Sequence, residues 1–216
     1  MALSNNTLAW IVVAAIVVSI AGTISSLSVI NDGGITGYAV ANTSGNVSVT
    51  VATQTSLIFS IGSLSLGSGS VDAANSNNCS IMVNVTSGST PVTGSGCSGF
   101  TGPVDGPLVI ENNGNIPVNV TINFTSNAST FIGGGNVGAS PIFRFIVQQN
   151  ETGSCTTINS TLTSWTDVVQ GAVVPVCSGL NWQNTNDTIA IGIYLVIPID
   201  ATEGSKQVNI TAQGTG

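Results

Sequence analysis

The sequence predicts a mainly β protein with one long N-terminal α-helix, in which a hydrophobic helix is followed by an antiparallel β-sandwich. Two observations lead to this fold class. An uncharged apolar run stands near the N-terminus, and beyond residue 31 apolar residues alternate with polar ones, the period of two that is typical of strands. No helical pattern separates the strands, which favours a sandwich. We therefore expect a helix over residues 1–31 and a single sandwich domain over residues 32–216.

The N-terminal helix is predicted from the apolar run Leu8–Ile30, which contains no charged residue. At about 1.5 Å per residue, a helix of this length would cross a bilayer. Three interpretations remain open: a cleaved secretory signal, a membrane anchor, and a helix buried among its own copies in a polymer. Small residues spaced four apart favour the third, because they let helices approach closely. The expected assembly face consists of Ala15, Ser19, Gly22 and Ser26.

The strands follow from the alternation. It indicates strands near residues 47–51, 57–61, 81–85, 116–124, 143–147, 189–197 and 208–210. In the clearest of them, Ile116–Phe124, every even position is apolar, so Asn119 and Asn123 should point outward. By the same pattern, Arg144 should lie opposite its two phenylalanine neighbours, on a solvated face.

The surface is predicted to be poor in charge. The 216 residues include two basic and nine acidic side chains and no His, where about a quarter of an ordinary domain is charged. With a net charge of -7 and two basic residues, the chain cannot neutralise phosphates, so nucleic acid is excluded as a partner.

Asn-x-Ser/Thr triplets provide another way to hydrate the surface, because they accept N-linked glycans in exported proteins. Glycans would place the chain outside the cell. The predicted acceptors are Asn42, Asn46, Asn78, Asn84, Asn119, Asn123, Asn127, Asn150, Asn159, Asn186 and Asn209.

The four cysteines, in a chain expected outside the cell, predict two disulfides. Three pairings are possible, and we favour the local one, because each local pair brackets a loop rich in Gly, Ser and Thr. This pairing joins Cys79 to Cys97 and Cys155 to Cys177. A zinc site is disfavoured, because the sequence has no His and no closely spaced Cys pair.

No catalytic constellation is visible. Without His, a Ser-His-Asp triad cannot form, and the acidic residues are scattered along the chain without the density of a calcium loop. We therefore expect no enzyme activity, no metal and no cofactor other than N-linked glycans.

An uncharged apolar segment followed by a sequon-dense, sparsely charged β domain resembles the subunits of archaeal type IV pili and archaeal flagella. The turn within Leu108–Val120 resembles the Asn- and Gly-containing turns of Ig-like domains in archaeal surface proteins. The resemblance implies an Ig-like sandwich and a structural subunit of an extracellular, pilus-like filament that serves adhesion or motility. Helices would bundle in the filament core, and the sandwich would form the glycosylated outer wall.

The expected partner is then the chain itself, as a homopolymer, and a membrane before assembly. One alternative is a membrane-anchored surface glycoprotein or coat component. Another is a secreted filament subunit whose apolar stretch is cleaved as a signal, so that the strand around Gly45–Thr53 completes the sandwich of the next subunit.

Overall fold

A computed structural model describes residues 52–86, 92–100 and 106–216. These ranges belong to one compact unit, Ala52–Gly216, which is distinct from Met1–Val51. The predicted boundary between residues 31 and 32, and the strand predicted near residues 47–51, lie outside the described residues.

Nearly all of the regular structure in these ranges is β. The strands are β1 (Leu57–Ile61), β2 (Gly69–Val71), β3 (Asn78–Val83), β4 (Val92–Thr93), β5 (Cys97–Gly99), β6 (Leu108–Asn112), β7 (Val118–Phe124), β8 (Ile142–Gln149), β9 (Cys155–Ile158), β10 (Thr166–Asp167), β11 (Val174–Leu180), β12 (Thr188–Pro198) and β13 (Ile210–Thr215). Two single-turn helices accompany them: α1 (Ala128–Phe131) and a 3-10 helix (Ser160–Thr163).

The predicted fold class, with its long N-terminal helix, is wrong: the structure is mostly β, in several sheets, with essentially no helix. No long helix occurs among the described residues, and the segment for which it was predicted, residues 1–31, lies outside them. The prediction depended on the length of an apolar run rich in Ile and Val. Such a run has no period that distinguishes a helix from buried strands, and β-branched residues favour strands over helices.

The large sheet is built around β12. One side of β12 pairs with β8, which in turn pairs with β10. The other side pairs first with β6 and then with β3, and these two strands are extended outward by β1 and β4. Gly192 lies where β6 gives way to β3, and a Cβ atom there would stand 2.9 Å from the Val83 carbonyl oxygen. The glycine thus permits one long strand to serve two partners.

The small sheet has the strand order β13-β7-β11-β9, and all its pairs are antiparallel. A separate two-stranded ribbon joins β2 to β5. The four strands of the small sheet contain no charged residue.

The core lies between the large and small sheets, as in a sandwich. The even residues of β7 are buried against the odd residues of β12 and β8, as the alternation predicts. The Phe124 ring meets Phe143 edge-on at 5.6 Å between centroids and Phe145 at 5.0 Å, the tilted arrangements that aromatic pairs prefer. A second, smaller cluster of Val85, Ile146 and Ala190, with Trp165 against it, occupies the other face of the large sheet.

Asn112 joins the two sheets at the end of β6. Its side chain is fully buried, and its amide nitrogen donates to the carbonyl oxygens of Ile116 at 2.9 Å and Leu180 at 3.0 Å. Its side-chain oxygen accepts from the Gly114 amide at 3.0 Å. This buried amide therefore has its hydrogen bonds satisfied, which is the condition for a polar group to be tolerated in a core.

Candidate functional site

The outer face of the small sheet is the surface on which the alternation predicted glycan acceptors. Asn119 is exposed and Asn123 is half-buried, while the even-numbered residues of β7 are buried in the core. The Asn119 side-chain oxygen accepts hydrogen bonds from the Ser178 hydroxyl and the Gly179 amide, both at 3.1 Å. These bonds hold the carboxamide in one orientation and leave its nitrogen, the atom to which an N-linked sugar attaches, without a partner among the described residues.

Two other predicted acceptors cap helices. The Asn127 side-chain oxygen accepts from the Thr130 amide at 3.0 Å at the start of α1. The Asn159 side-chain oxygen accepts from the Thr161 amide at 3.2 Å, and its nitrogen donates to the Pro175 carbonyl at 2.9 Å. Asn is a preferred N-cap residue, so a cap explains these two triplets without any sugar. The sequence analysis missed this role.

The triplets of Asn150 and Asn186 both involve Thr188. The Asn150 side-chain nitrogen donates to the Thr188 hydroxyl at 3.1 Å, and Thr188 is also the third residue of the triplet that begins at Asn186. Thr188 is only 8% exposed. The Asn186 side-chain oxygen is buried, and the described part of the chain offers it no hydrogen-bond partner. A contact within the fold therefore engages the Asn150 side chain and the Thr188 hydroxyl of the Asn186 triplet.

The remaining acceptors are spread over the surface. Asn78 is half-buried at the start of β3, whereas Asn84 and Asn209 are exposed, as the alternation predicts. Asn42 and Asn46 lie outside the described residues, as does the predicted assembly face of Ala15, Ser19, Gly22 and Ser26. Glycan occupancy stays a prediction at every acceptor.

Both predicted disulfides are present, in the local pairing. Cys79 on β3 joins Cys97 on β5, with 4.7 Å between their Cα atoms, and Cys155 on β9 joins Cys177 on β11, with 5.7 Å. Each bridge thus fastens a short strand to a longer neighbour. Disulfides persist in oxidising compartments, so this pairing is compatible with an exported chain.

Within the described ranges, charged groups are few and form no acid–base pair in a cleft. A groove of about 490 Å³ lies beside α1 and β8, and among the described residues that line it only Asp167 is titratable. The Asp167 carboxylate accepts from the Arg144 guanidinium at 2.6 Å, and the pair is largely exposed. Arg144 therefore faces away from its phenylalanine neighbours, as predicted, and the groove holds no group arranged for proton transfer.

Three acidic residues meet at the end of the sandwich near β6. Burial raises the pKa of the Asp187 carboxyl, and the nearby Glu151 and Glu111 raise it further. The Asp187 amide donates to a Glu151 carboxylate oxygen at 2.9 Å. The sequence did not indicate this meeting, because the three residues come from separate segments. Within the described ranges, no group of His, Cys, Asp or Glu is arranged to hold a metal ion.

A single carboxylate also organises the glycine-rich loop before β8. Asp200 accepts hydrogen bonds from the backbone amides of Gly135 at 2.8 Å, Asn136 at 2.8 Å and Val137 at 3.0 Å. These bonds lower the pKa of the Asp200 carboxyl. The loop resembles an anion-binding nest, but the chain's own carboxylate fills it.

Comparisons with protein-family models, with characterised proteins and with solved structures found no match. Among the described residues, no helix has both the length and the apolar character needed to span a membrane.

Proposed function

We propose that this chain is a structural subunit of an extracellular assembly, in its finer form a pilus-like filament of the kind that archaeal type IV pilins build. The observation that carries the proposal is the small sheet, whose strands contain no charged residue and whose outer face exposes Asn, Thr, Ser and Gln side chains. A surface of this kind suits the wall of an assembly or a glycan layer better than a binding site for a charged ligand.

Two further observations support a structural role. Both disulfides fasten strands of the sandwich, which favours persistence in an oxidising medium. Two described carboxylates have shifted pKa values: Asp187, through burial and its acidic neighbours, and Asp200, through its bonds to backbone amides. Neither of them lines the groove beside α1 and β8. We accordingly propose that the chain has no catalytic activity.

The apolar segment Leu8–Ile30 is the proposed attachment element, because an uncharged run of this length needs to be covered by other copies or by lipid. In the filament, other copies cover it. In the alternative, an anchored surface glycoprotein, lipid covers it.

Negative-stain microscopy with gold-labelled antibodies on producing cells distinguishes these functions. We expect labelled filaments; label confined to the membrane, with single copies released by detergent, would refute the filament. Ile16→Lys, in the middle of the apolar segment, should abolish filaments. Val92→Lys is the control, because Val92 is 59% exposed on β4 of the large sheet and a charge there should leave filaments intact.

A further inference from the structure

Strand β13 is an edge of the small sheet that lacks the usual protection. It pairs with β7 alone, in an unbroken register from Ile210 opposite Phe124 to Thr215 opposite Asn119. Edge strands are normally shortened, bulged, charged or interrupted by Pro, because an open edge can pair with another chain. β13 has neither charge nor Pro over its six residues. Among the other described edges, β1 is bulged, β4, β9 and β10 have at most four residues, and β8, which β10 covers at only two positions, contains the charged Arg144.

The hydrogen bonds of β7 determine which groups of β13 point outward. The Thr125 amide donates to the Asn209 carbonyl at 3.0 Å, and the Asn209 amide donates back to the Thr125 hydroxyl at 3.0 Å, so these two residues occupy a hydrogen-bonded position of the ladder. Since such pairs recur every second residue in an antiparallel ladder, the odd residues of β13 bond to β7. The amides and carbonyls of Ile210, Ala212 and Gly214 therefore face away from β7, and no other described strand pairs with β13.

We propose that β13 pairs antiparallel with β13 of a second copy of this chain, which continues the small sheet from one molecule into the next. Charge does not oppose a second copy at this edge. Although the net charge of -7 makes copies repel one another, neither β13 nor β7 has a charged residue, so two edges meet without like charges facing each other.

The sequence of β13 is complementary to itself in the register that its outward groups require. With the two-fold axis at Ala212, each Ile210 stands opposite Gly214 of the other copy, and the two alanines face each other. Thr211 then stands opposite Gln213 on the outer face, so large residues meet small ones and polar residues meet polar ones. The half-buried Leu57 lies next to Gly214, since a Cβ placed there would be 2.9 Å from the Leu57 side chain. Ile210 of the second copy, opposite Gly214, would therefore lie beside the apolar Leu57.

This contact relies on the proposed function only in requiring that copies meet, and site-specific crosslinking tests it directly. In the full chain, in detergent so that apolar segments stay apart, Ala212→Cys places two thiols in one hydrogen-bonded pair, about 5.5 Å apart at Cα, within disulfide range. Gln213→Cys is the matched control, because its two copies are diagonal neighbours at about 7–8 Å, too far to bridge. The double variant Thr211→Cys/Gln213→Cys should crosslink again.

We expect covalent dimers from Ala212→Cys and from the double variant, and none from Gln213→Cys. Equal crosslinking of all three indicates aggregation and overturns the proposal, as does crosslinking of Ala212→Cys to a different protein. No crosslinking while filaments still form on cells refutes the edge contact and leaves the proposed function standing. Dimers without filaments refute the filament and leave the edge contact standing.

A second variant tests the hydrogen bonds themselves. Ala212→Pro removes an outward amide that β7 does not use, and Pro is tolerated on an edge strand at such a position. We expect the thermal midpoint of the sandwich to stay unchanged while the tendency of copies to associate, measured by sedimentation in detergent, falls. Unchanged association of a folded Ala212→Pro variant would overturn the proposal.

Discussion

Replacing Asn112 by alanine should destabilise the sandwich more than any surface change, because this one side chain joins the turn after β6 to the end of β11. The variant leaves three backbone groups without partners: the carbonyls of Ile116 and Leu180 and the amide of Gly114. Leu180 is fully buried, so its carbonyl cannot turn to water, whereas the other two groups belong to half-buried residues.

The magnitude follows from these three groups. An unsatisfied buried carbonyl costs about 2 kcal/mol, and each group that water can partly reach costs about 0.5 kcal/mol. The free energy of unfolding should therefore fall by about 3 kcal/mol. In a domain of this size, each kcal/mol lowers the melting temperature by about 2–4 °C, so a loss of roughly 6–12 °C is expected.

Urea and thermal unfolding, followed by far-UV circular dichroism with the disulfides intact, measure this loss. Asn113→Ala is the matched control: its neighbouring side chain is exposed and should change the unfolding free energy by no more than about 0.5 kcal/mol. If Asn112→Ala unfolds within this margin of the wild type, the connection between the sheets does not depend on the buried amide.

Three further predictions concern the loops and bridges. Asp200 has a pKa below its ordinary value of 3.8, so its stabilising contribution is present above that pH and is lost as the pH falls through the folded-state pKa. Asp200→Asn should therefore flatten the acid limb of the stability–pH curve, and an unchanged limb would contradict a stabilising role for the bonds from Asp200 to the loop amides. Gly134→Ala should cost about 1–3 kcal/mol, because Gly134 has φ +77° and a Cβ there would stand 2.8 Å from the Ala201 amide. Gly153 has φ +80°, and nothing lies within 4 Å of a Cβ placed there, so Gly153→Ala should lower the unfolding free energy by only about 1 kcal/mol. Equal losses in the two variants would exclude a clash at Gly134. Replacing Cys155 and Cys177 by alanines removes a bridge that spans 22 residues and should lower the free energy of unfolding in urea by about 3 kcal/mol. An unchanged free energy would mean that the bridge does not restrain the unfolded chain.

Local alternation predicted much of the sandwich, because strands such as β7 have one face on the core and the other toward solvent. β7 and β8 appeared where the period of two placed them, and so did β12. β11 was missed, since its register shifts on both sides of Cys177, and a bulge destroys the alternation that a sequence pattern detects. β9 was missed because a four-residue edge strand shows too few repeats to be recognised.

The candidate site was less predictable. The Asn-x-Ser/Thr pattern is identical at Asn119, where the side chain points from a strand into solvent, and at Asn127 and Asn159, where it caps a helix. A triplet records only three neighbours in the chain. Whether its amide is free depends on which distant strand or carbonyl lies beside it, as the Pro175 carbonyl does for Asn159.

The sequence by itself determined the scarcity of charge, the apolar segment Leu8–Ile30, the period of the main strands and the even number of cysteines, because composition and local spacing carry this information. Only the tertiary structure decided that Glu111, Glu151 and Asp187 meet, that Asn112 is buried between the sheets, and that β13 is an open edge. These features depend on contacts between residues far apart in the chain, and they arise only when both sheets are assembled around one core.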